Sequence, residues 1–281
     1  MTTTENWIEV GSVTWFYRDA KPVNETTKPP VVLLHGLPSQ SYGWREVMEA
    51  LADQGFWAIA PDWPGFGFSD KPDKRDFAYT SAAFQTALDA WMQAMNLERV
   101  HLVVQGFLGS VGLQYALQHR DRIERLAILN APITPEAKVP WKIGMLGIPL
   151  VGDMLTQDPL LVDRTLEGGG QYRVSDEDLD VYRRPFLKSS DAGRSLLATV
   201  QNLRLSEATA QISTGFTSWD APIQVQWGVN DPWLSIDQAQ AFVKQTPAAE
   251  LVSLEEVGHY PQQDWPEKVA NALIPFLRRS A

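Results

Sequence analysis

Apolar, β-rich runs bounded by turn residues recur along this chain, and helix-period stretches fill most of the gaps between them. The runs are "VTWFY" (13–17), "VVLLH" (31–35), "FWAIA" (56–60), "VHLVV" (100–104), "RLAILN" (125–130), "IQVQW" (223–227) and "ELVSL" (250–254). The later runs are nearly continuous in apolar character, as expected of strands covered on both faces rather than one. Helical periodicity falls at 42–54, 81–96, 110–119, 236–245 and 266–279. Alternation of this kind predicts a mostly parallel sheet with helices on both sides. The turn "EVGS" just before the first run predicts an antiparallel hairpin at one edge. The alternation fails once, between Asn130 and Ile223. That stretch holds "GIPLVGDMLTQDPLLVDRTL", a "GGG" at 168–170, and "SDEDLDVYRRPFLKSS", where Ser175 or Asp176 is placed to cap a helix. It reads as a helical insertion that leaves and rejoins the sheet at neighbouring strands.

Composition narrows the function. A length of 281 residues suits one large domain carrying an insertion. A formal net charge of −10 and the lack of any Lys/Arg cluster argue against nucleic acid as a partner. With no cysteine, disulfides and thiolate metal sites are excluded, which suits a reducing compartment. The opening "MTTTENWIEVGSVTWFYRDA" has neither a basic n-region nor an apolar h-region, so no signal peptide is expected. The lightly charged run "VPWKIGMLGIPLVGDML" (139–155) is too short to span a bilayer, so no integral membrane segment is expected and a cytoplasmic location is the default.

Four short stretches carry candidate chemistry. "LLHGLPSQSYGW" (33–44) ends a strand at His35-Gly36 and turns at Pro38. "APDWPGFGFSDKP" (60–72) has alternating glycines, but neither the P-loop pattern nor a complete dinucleotide fingerprint, and reads as a Gly-rich turn. "QWGVNDPW" (226–233) places Asp231 just beyond a strand, and "EEVGHYPQQDWPEKV" (255–269) places His259 in a loop before the last helix. Loops beyond the C-terminal strand ends are where open parallel sheets carry their sites. An acid there can orient a histidine and stabilise its charged form, so a hydrogen-bonded His259–Asp231 couple is predicted. His35, His101 and His119 lack metal-ligand spacing, and no metal or other cofactor is expected.

The order "HGLP", "PDWPGFGFSDKP", "VVQGFLGS", "NDPW", "GHY" resembles the haloalkane dehalogenase and epoxide hydrolase branch of the α/β-hydrolase superfamily, and "VSDEDLDVYRRPFL" (174–187) resembles a cap helix of the dehalogenases. The resemblance spans nearly the whole chain. It implies an α/β-hydrolase fold with a mostly parallel eight-stranded sheet, a core at 1–132 and 217–281, a helical cap at 133–216, and a site between them. By match, Asp231 resembles the family's acid and His259 its base. The backbone N–H groups of Leu37 and Phe107 fall where an oxyanion would be held. Trp141, Tyr172 and Tyr182, all within the insertion, are the expected lining of a substrate pocket.

At the strand-to-helix turn the chain departs from this family. "VVQGFLGSVGL" (103–113) puts Gly106 where the dehalogenases have a nucleophilic aspartate, or Phe107 if the register shifts by one, and neither side chain can attack carbon. Gly fits such a turn because it tolerates positive φ. Phe107 and Leu37 also lack the side-chain N–H donors that hold a leaving halide, so dehalogenation is not expected. Three readings follow. The first is an enzyme acting on a small apolar molecule by His–Asp general-base chemistry without a covalent intermediate. The second is a catalytically silent protein that binds a ligand, or that uses "WKIGMLGIPLVGDML" as a surface for a membrane or protein partner. The third is a serine hydrolase using Ser110, which requires the turn to slip by four residues.

Overall fold

A computed structural model describes residues 2–158 and 160–279. Eight strands form one sheet: β1 (Thr4–Val10), β2 (Val13–Ala20), β3 (Val31–Leu34), β4 (Ala58–Pro61), β5 (Val100–Gln105), β6 (Ile123–Leu129), β7 (Ile223–Gly228) and β8 (Ala249–Leu254). Their spatial order is β1-β2-β4-β3-β5-β6-β7-β8. β1 and β2 form the antiparallel hairpin read from the sequence, and β2 joins β4 antiparallel. From β3 and β4 through to β8 every pairing is parallel.

Burial follows position in the sheet. Every residue of β3, β4, β5 and β7 is buried, whereas the edge strand β1 alternates between exposed and half-buried. That is why the central strands read as unbroken apolar runs. Within β3 the pleat sends Val32 and Leu34 into one core layer and Val31 and Leu33 into the other.

The helices are α1 (Arg45–Asp53), α2 (Ser81–Ala94), α3 (Gly109–Gln118), α4 (Trp141–Gly144), α5 (Val151–Leu155), α6 (Leu161–Gly169), α7 (Asp176–Lys188), α8 (Asp191–Asn202), α9 (Leu205–Gly215), α10 (Ile236–Gln245), α11 (Pro261–Asp264) and α12 (Pro266–Arg278). The predicted 42–54 helix begins as a 3₁₀ turn at Ser41–Trp44 before α1 takes over. Ser175 rather than Asp176 caps α7, its Oγ accepting the Asp178 N–H at 3.2 Å. Between β6 and β7 the described residues form only helices and turns, α4 to α9, and no strand. Among the described residues no helix is long and apolar enough to cross a membrane.

One buried histidine couples this fold to pH. His101, on β5, is 2% exposed, packs edge-on against Phe56 at 5.9 Å, and has no hydrogen-bond partner for Nδ1 among the described residues. Burial, reinforced by Arg125, depresses its pKa from 6.5 to about 4. The unfolded chain therefore takes up a proton near pH 6.5 that the folded chain refuses until about pH 4. The resulting stability is fully present above pH 6.5 and drains away as the pH falls to about 4, a change of about 3 kcal/mol. In chemical denaturation at pH 7 and pH 4.5, His101→Leu should flatten this acid loss relative to the parent. Equal acid sensitivity of the two proteins would remove the assignment to His101.

Candidate functional site

The site is assembled at the C-terminal ends of β3, β5, β6 and β7, where a parallel sheet splays its loops. β5 ends at Gln105, Gly106 follows at φ +65°, and α3 starts three residues later. Glycine suits this turn in conformation and in space. A Cβ on Gly106 would lie 3.1 Å from the Gly36 Cα and 3.4 Å from His259 Nε2. Gln105 is wholly buried and ties three segments together. Its Nε2 donates to the His259 carbonyl at 2.7 Å, and its Oε1 accepts the Gly36 N–H at 3.2 Å. Ser110 lies in the first turn of α3, with its hydroxyl donating to the Phe107 carbonyl at 2.8 Å.

β7 runs straight into Asp231, and the loop after β8 carries His259. The two side chains are fully buried and meet at 2.8 Å, His259 Nδ1 to Asp231 Oδ2. Asp231 has its other capacity filled. Oδ1 accepts the N–H groups of Trp233 and Leu234 at 2.8 and 3.1 Å, and Oδ2 also accepts from Asn130 Nδ2 at 2.8 Å. A carboxylate so held is acceptor-only, so His259 must donate from Nδ1. In the neutral imidazole that leaves a lone pair on Nε2. Nε2 is buried and has no hydrogen-bond partner among the described residues.

Aromatic rings fix the imidazole plane. Phe107 stacks on it at 5.2 Å and 26°, Trp233 leans on it at 4.6 Å, and Tyr260 meets it edge-on at 5.0 Å. Burial pushes the Tyr260 hydroxyl well above its ordinary pKa, so it stays protonated and donates to the Leu37 carbonyl at 2.8 Å. The His259 loop and the turn after β3 are thereby joined. From the helical segment, the Gly169 carbonyl at the end of α6 accepts the His259 N–H at 2.8 Å. Among the described residues, the backbone N–H groups of Leu37 and Phe107 donate to no partner.

The remaining motifs serve the scaffold. His35 is buried, with Nδ1 against the Gly36 carbonyl at 2.9 Å and Nε2 accepting the Trp63 N–H at 3.2 Å. Burial lowers its pKa, which keeps it neutral. In the Gly-rich turn, Asp62 accepts the N–H groups of Ser41 and Phe68 at 2.6 and 2.7 Å. Gly67, at φ +49°, leaves room for that carboxylate. Among the described residues no group of three or more His, Cys, Asp or Glu side chains could hold a metal ion.

A cavity of about 680 Å³ lies between the helical segment and the loop after β7. Trp233 lines it and also touches the imidazole, so this indole is the wall between cavity and His259. Of the three expected pocket residues, Trp141 lines the cavity, though it is 70% exposed. Tyr172 does not: it stands half-exposed against the edge of Trp265 at 5.9 Å. Tyr182 does not either, because its hydroxyl is buried and donates to Gln263 at 2.7 Å. Sequence reasoning did not single out Asn130, Gln105, Trp233 or Tyr260. The only signal for Asn130 was a polar residue closing an apolar strand.

Comparison with known proteins places these features in context. The sequence profile described as alpha/beta hydrolase fold matches residues 29–264. A haloalkane dehalogenase of Mycolicibacterium paratuberculosis is 30% identical, with 92% of this chain and 86% of that protein covered. A cis-3-alkyl-4-alkyloxetan-2-one decarboxylase of Xanthomonas campestris is 29% identical, covering 89% and 88%. Among solved structures, the haloalkane dehalogenase DbeA of Bradyrhizobium elkani superposes with a TM-score of 0.87 over 98% of this chain and 97% of its own, at 24% identity.

Proposed function

This chain belongs to the α/β-hydrolase fold family, and from that premise we propose that it hydrolyses a small, largely apolar acyl compound by general-base catalysis without a covalent intermediate. The observation that carries this reading is His259: its Nδ1 is fixed on Asp231, and its buried Nε2 has no partner among the described residues and looks onto Gly106. In a nucleophile-dependent relative, the attacking side chain would start from the position Gly106 occupies. Glycine offers none, and in our reading a water takes the attacking role there, within reach of Nε2. The imidazole takes a proton from that water as it attacks the acyl carbon, and when the oxyanion collapses and the acyl C–O bond breaks it returns the proton to the departing alkoxide. The developing oxyanion is received by the free N–H groups of Leu37 and Phe107, which cost no reorganisation as charge forms.

On this reading residues 133–216 act as a cap over a core made of 1–132 and 217–281, and the 680 Å³ cavity is where substrate enters. That volume lies within the range of about 300–1,000 Å³ that small-molecule sites occupy. Trp233 must move aside for the acyl group to reach His259. The relatives named as dehalogenases do not extend their reaction to this chain in our reading, because neither an attacking carboxylate at 106 nor side-chain N–H donors at 37 and 107 are present.

Two assays test the proposal together. With activated esters and strained lactones, product should form linearly from the first turnover, and intact-mass spectra should show no acylated protein. With bromoalkanes and iodoalkanes, no halide should be released. An initial burst that vanishes in Ser110→Ala would overturn the proposal in favour of a serine nucleophile, and halide release would overturn it in favour of displacement chemistry.

A further inference from the structure

The lining of the 680 Å³ cavity carries a charge pattern at odds with the rest of the chain. The protein has a formal net charge of −10, yet three cationic side chains, Lys138, Lys142 and Arg164, face this one space against a single acid, Asp158. That acid is already taken, since Arg164 Nη1 holds Asp158 Oδ2 at 2.8 Å. Lys138 and Lys142 form no ion pair with any described residue. Both are exposed, so they mark the solvent end of the cavity. The rest of the lining is mainly apolar, including Ile143, Leu146 and Leu161, and the innermost marker is Trp233, whose indole touches His259.

An apolar chamber with uncompensated positive charge at its mouth and a base behind its far wall selects for a particular shape of molecule. We propose that the substrate is amphipathic, with a carboxylate at one end held by Lys138 and Lys142, an apolar chain along the cavity, and the reacting acyl group at the other end beside His259. This rests on the general-base reading for the reacting end only; the anion-binding end stands on the cavity itself. Apolar walls supply affinity in proportion to area buried, and the two cations supply orientation and preference over a neutral or cationic head. A reversed molecule would leave its carboxylate desolvated against Trp233, which is strongly disfavoured.

The test measures binding rather than turnover, so its outcome is separable from that of the catalytic proposal. Decanoate, 1-decanol and decyltrimethylammonium are titrated against the full chain by calorimetry, with tryptophan fluorescence as a second readout. Decanoate should bind at least tenfold more tightly than 1-decanol, with the cationic amphiphile weakest. In the Lys138→Gln/Lys142→Gln double variant that preference should disappear while 1-decanol affinity stays within twofold. His259→Ala should keep the full preference for decanoate, because the anion end does not involve it. Sedimentation with phosphatidylglycerol vesicles separates a free acid from a lipid headgroup, and no lysine-dependent co-sedimentation is expected. Equal affinity for decanoate and 1-decanol, a preference that survives in the double variant, failure of both to bind, or vesicle binding lost on removing the lysines would each overturn the proposal.

Discussion

His259→Ala should remove nearly all ester hydrolysis above the buffer rate and leave a folded protein. The expected loss is large rather than total: the N–H groups of Leu37 and Phe107 can still receive an oxyanion, but neither His35, committed to Gly36 and Trp63, nor Ser110, committed to the Phe107 carbonyl, can replace the base. Folding should survive because the buried Asp231 keeps three N–H donors, from Asn130, Trp233 and Leu234, after the imidazole is gone. What remains is a cavity of imidazole size, which costs about 2–4 kcal/mol. Asp231→Asn is the finer probe. The carboxamide can present an N–H to Nδ1, and the neutral ring then carries its proton on Nε2, the atom that must act as base. Where this substitution has been read in a Ser-His-Asp triad it lowered kcat by about 10⁴, and a loss of similar order in kcat/KM is expected here, with circular dichroism unchanged. Turnover within tenfold of the parent in either variant would show that His259 is not the base.

Much of the fold could be read from the sequence because its determinants are local. Continuous apolar runs marked the buried central strands, and "EVGS" just before "VTWFY" marked the edge hairpin, although its first strand, Thr4–Val10, was not among those runs. The absence of β-rich runs between Asn130 and Ile223 marked the helical segment. The juxtaposition of Asp231 and His259 was legible for a related reason: both follow directly on strands that end side by side, β7 and β8.

The parts that escaped depend on long-range register or helix phase. Asn130 reaches Asp231 across 101 positions and Gln105 reaches the His259 carbonyl across 154, separations that no periodicity encodes. Tyr182 illustrates phase. With Leu179 it forms the buried i, i+3 face of α7, so its hydroxyl is turned toward Gln263 rather than toward a ligand. Tyr172 lies in the turn before α7, where no amphipathic pattern fixes a direction. Trp233 is adjacent to the Asp231 motif in sequence, but its role as a wall follows from the tertiary closeness of the helical segment.

Gly106→Asp should convert a protein that is not labelled by alkylating agents into one that is labelled at residue 106. The new Cβ would stand 3.4 Å from His259 Nε2, so the carboxylate one bond further on falls beside the imidazole and near the free N–H groups of Leu37 and Phe107. Two costs oppose it. The backbone is at φ +65°, and the 3.1 Å approach to the Gly36 Cα requires that turn to give by a few tenths of an ångström. Together these should cost about 1–3 kcal/mol, toward the lower end because aspartate tolerates the left-handed region better than most side chains. A domain with the usual 5–15 kcal/mol or so of stability remains folded. With an iodoalkane, a carboxylate oxygen attacks carbon as iodide leaves, and the protein gains the mass of the alkyl group on residue 106. Water activated by His259 should then clear the ester slowly, so adding His259→Ala should make the adduct persist. Epoxides should label less well, because Tyr172 and Tyr182, the side chains that could have protonated the ring oxygen, stand away from the cavity. If folded Gly106→Asp protein stays unmodified while the same iodoalkane quenches the cavity tryptophans, the nucleophile position lies elsewhere on the chain.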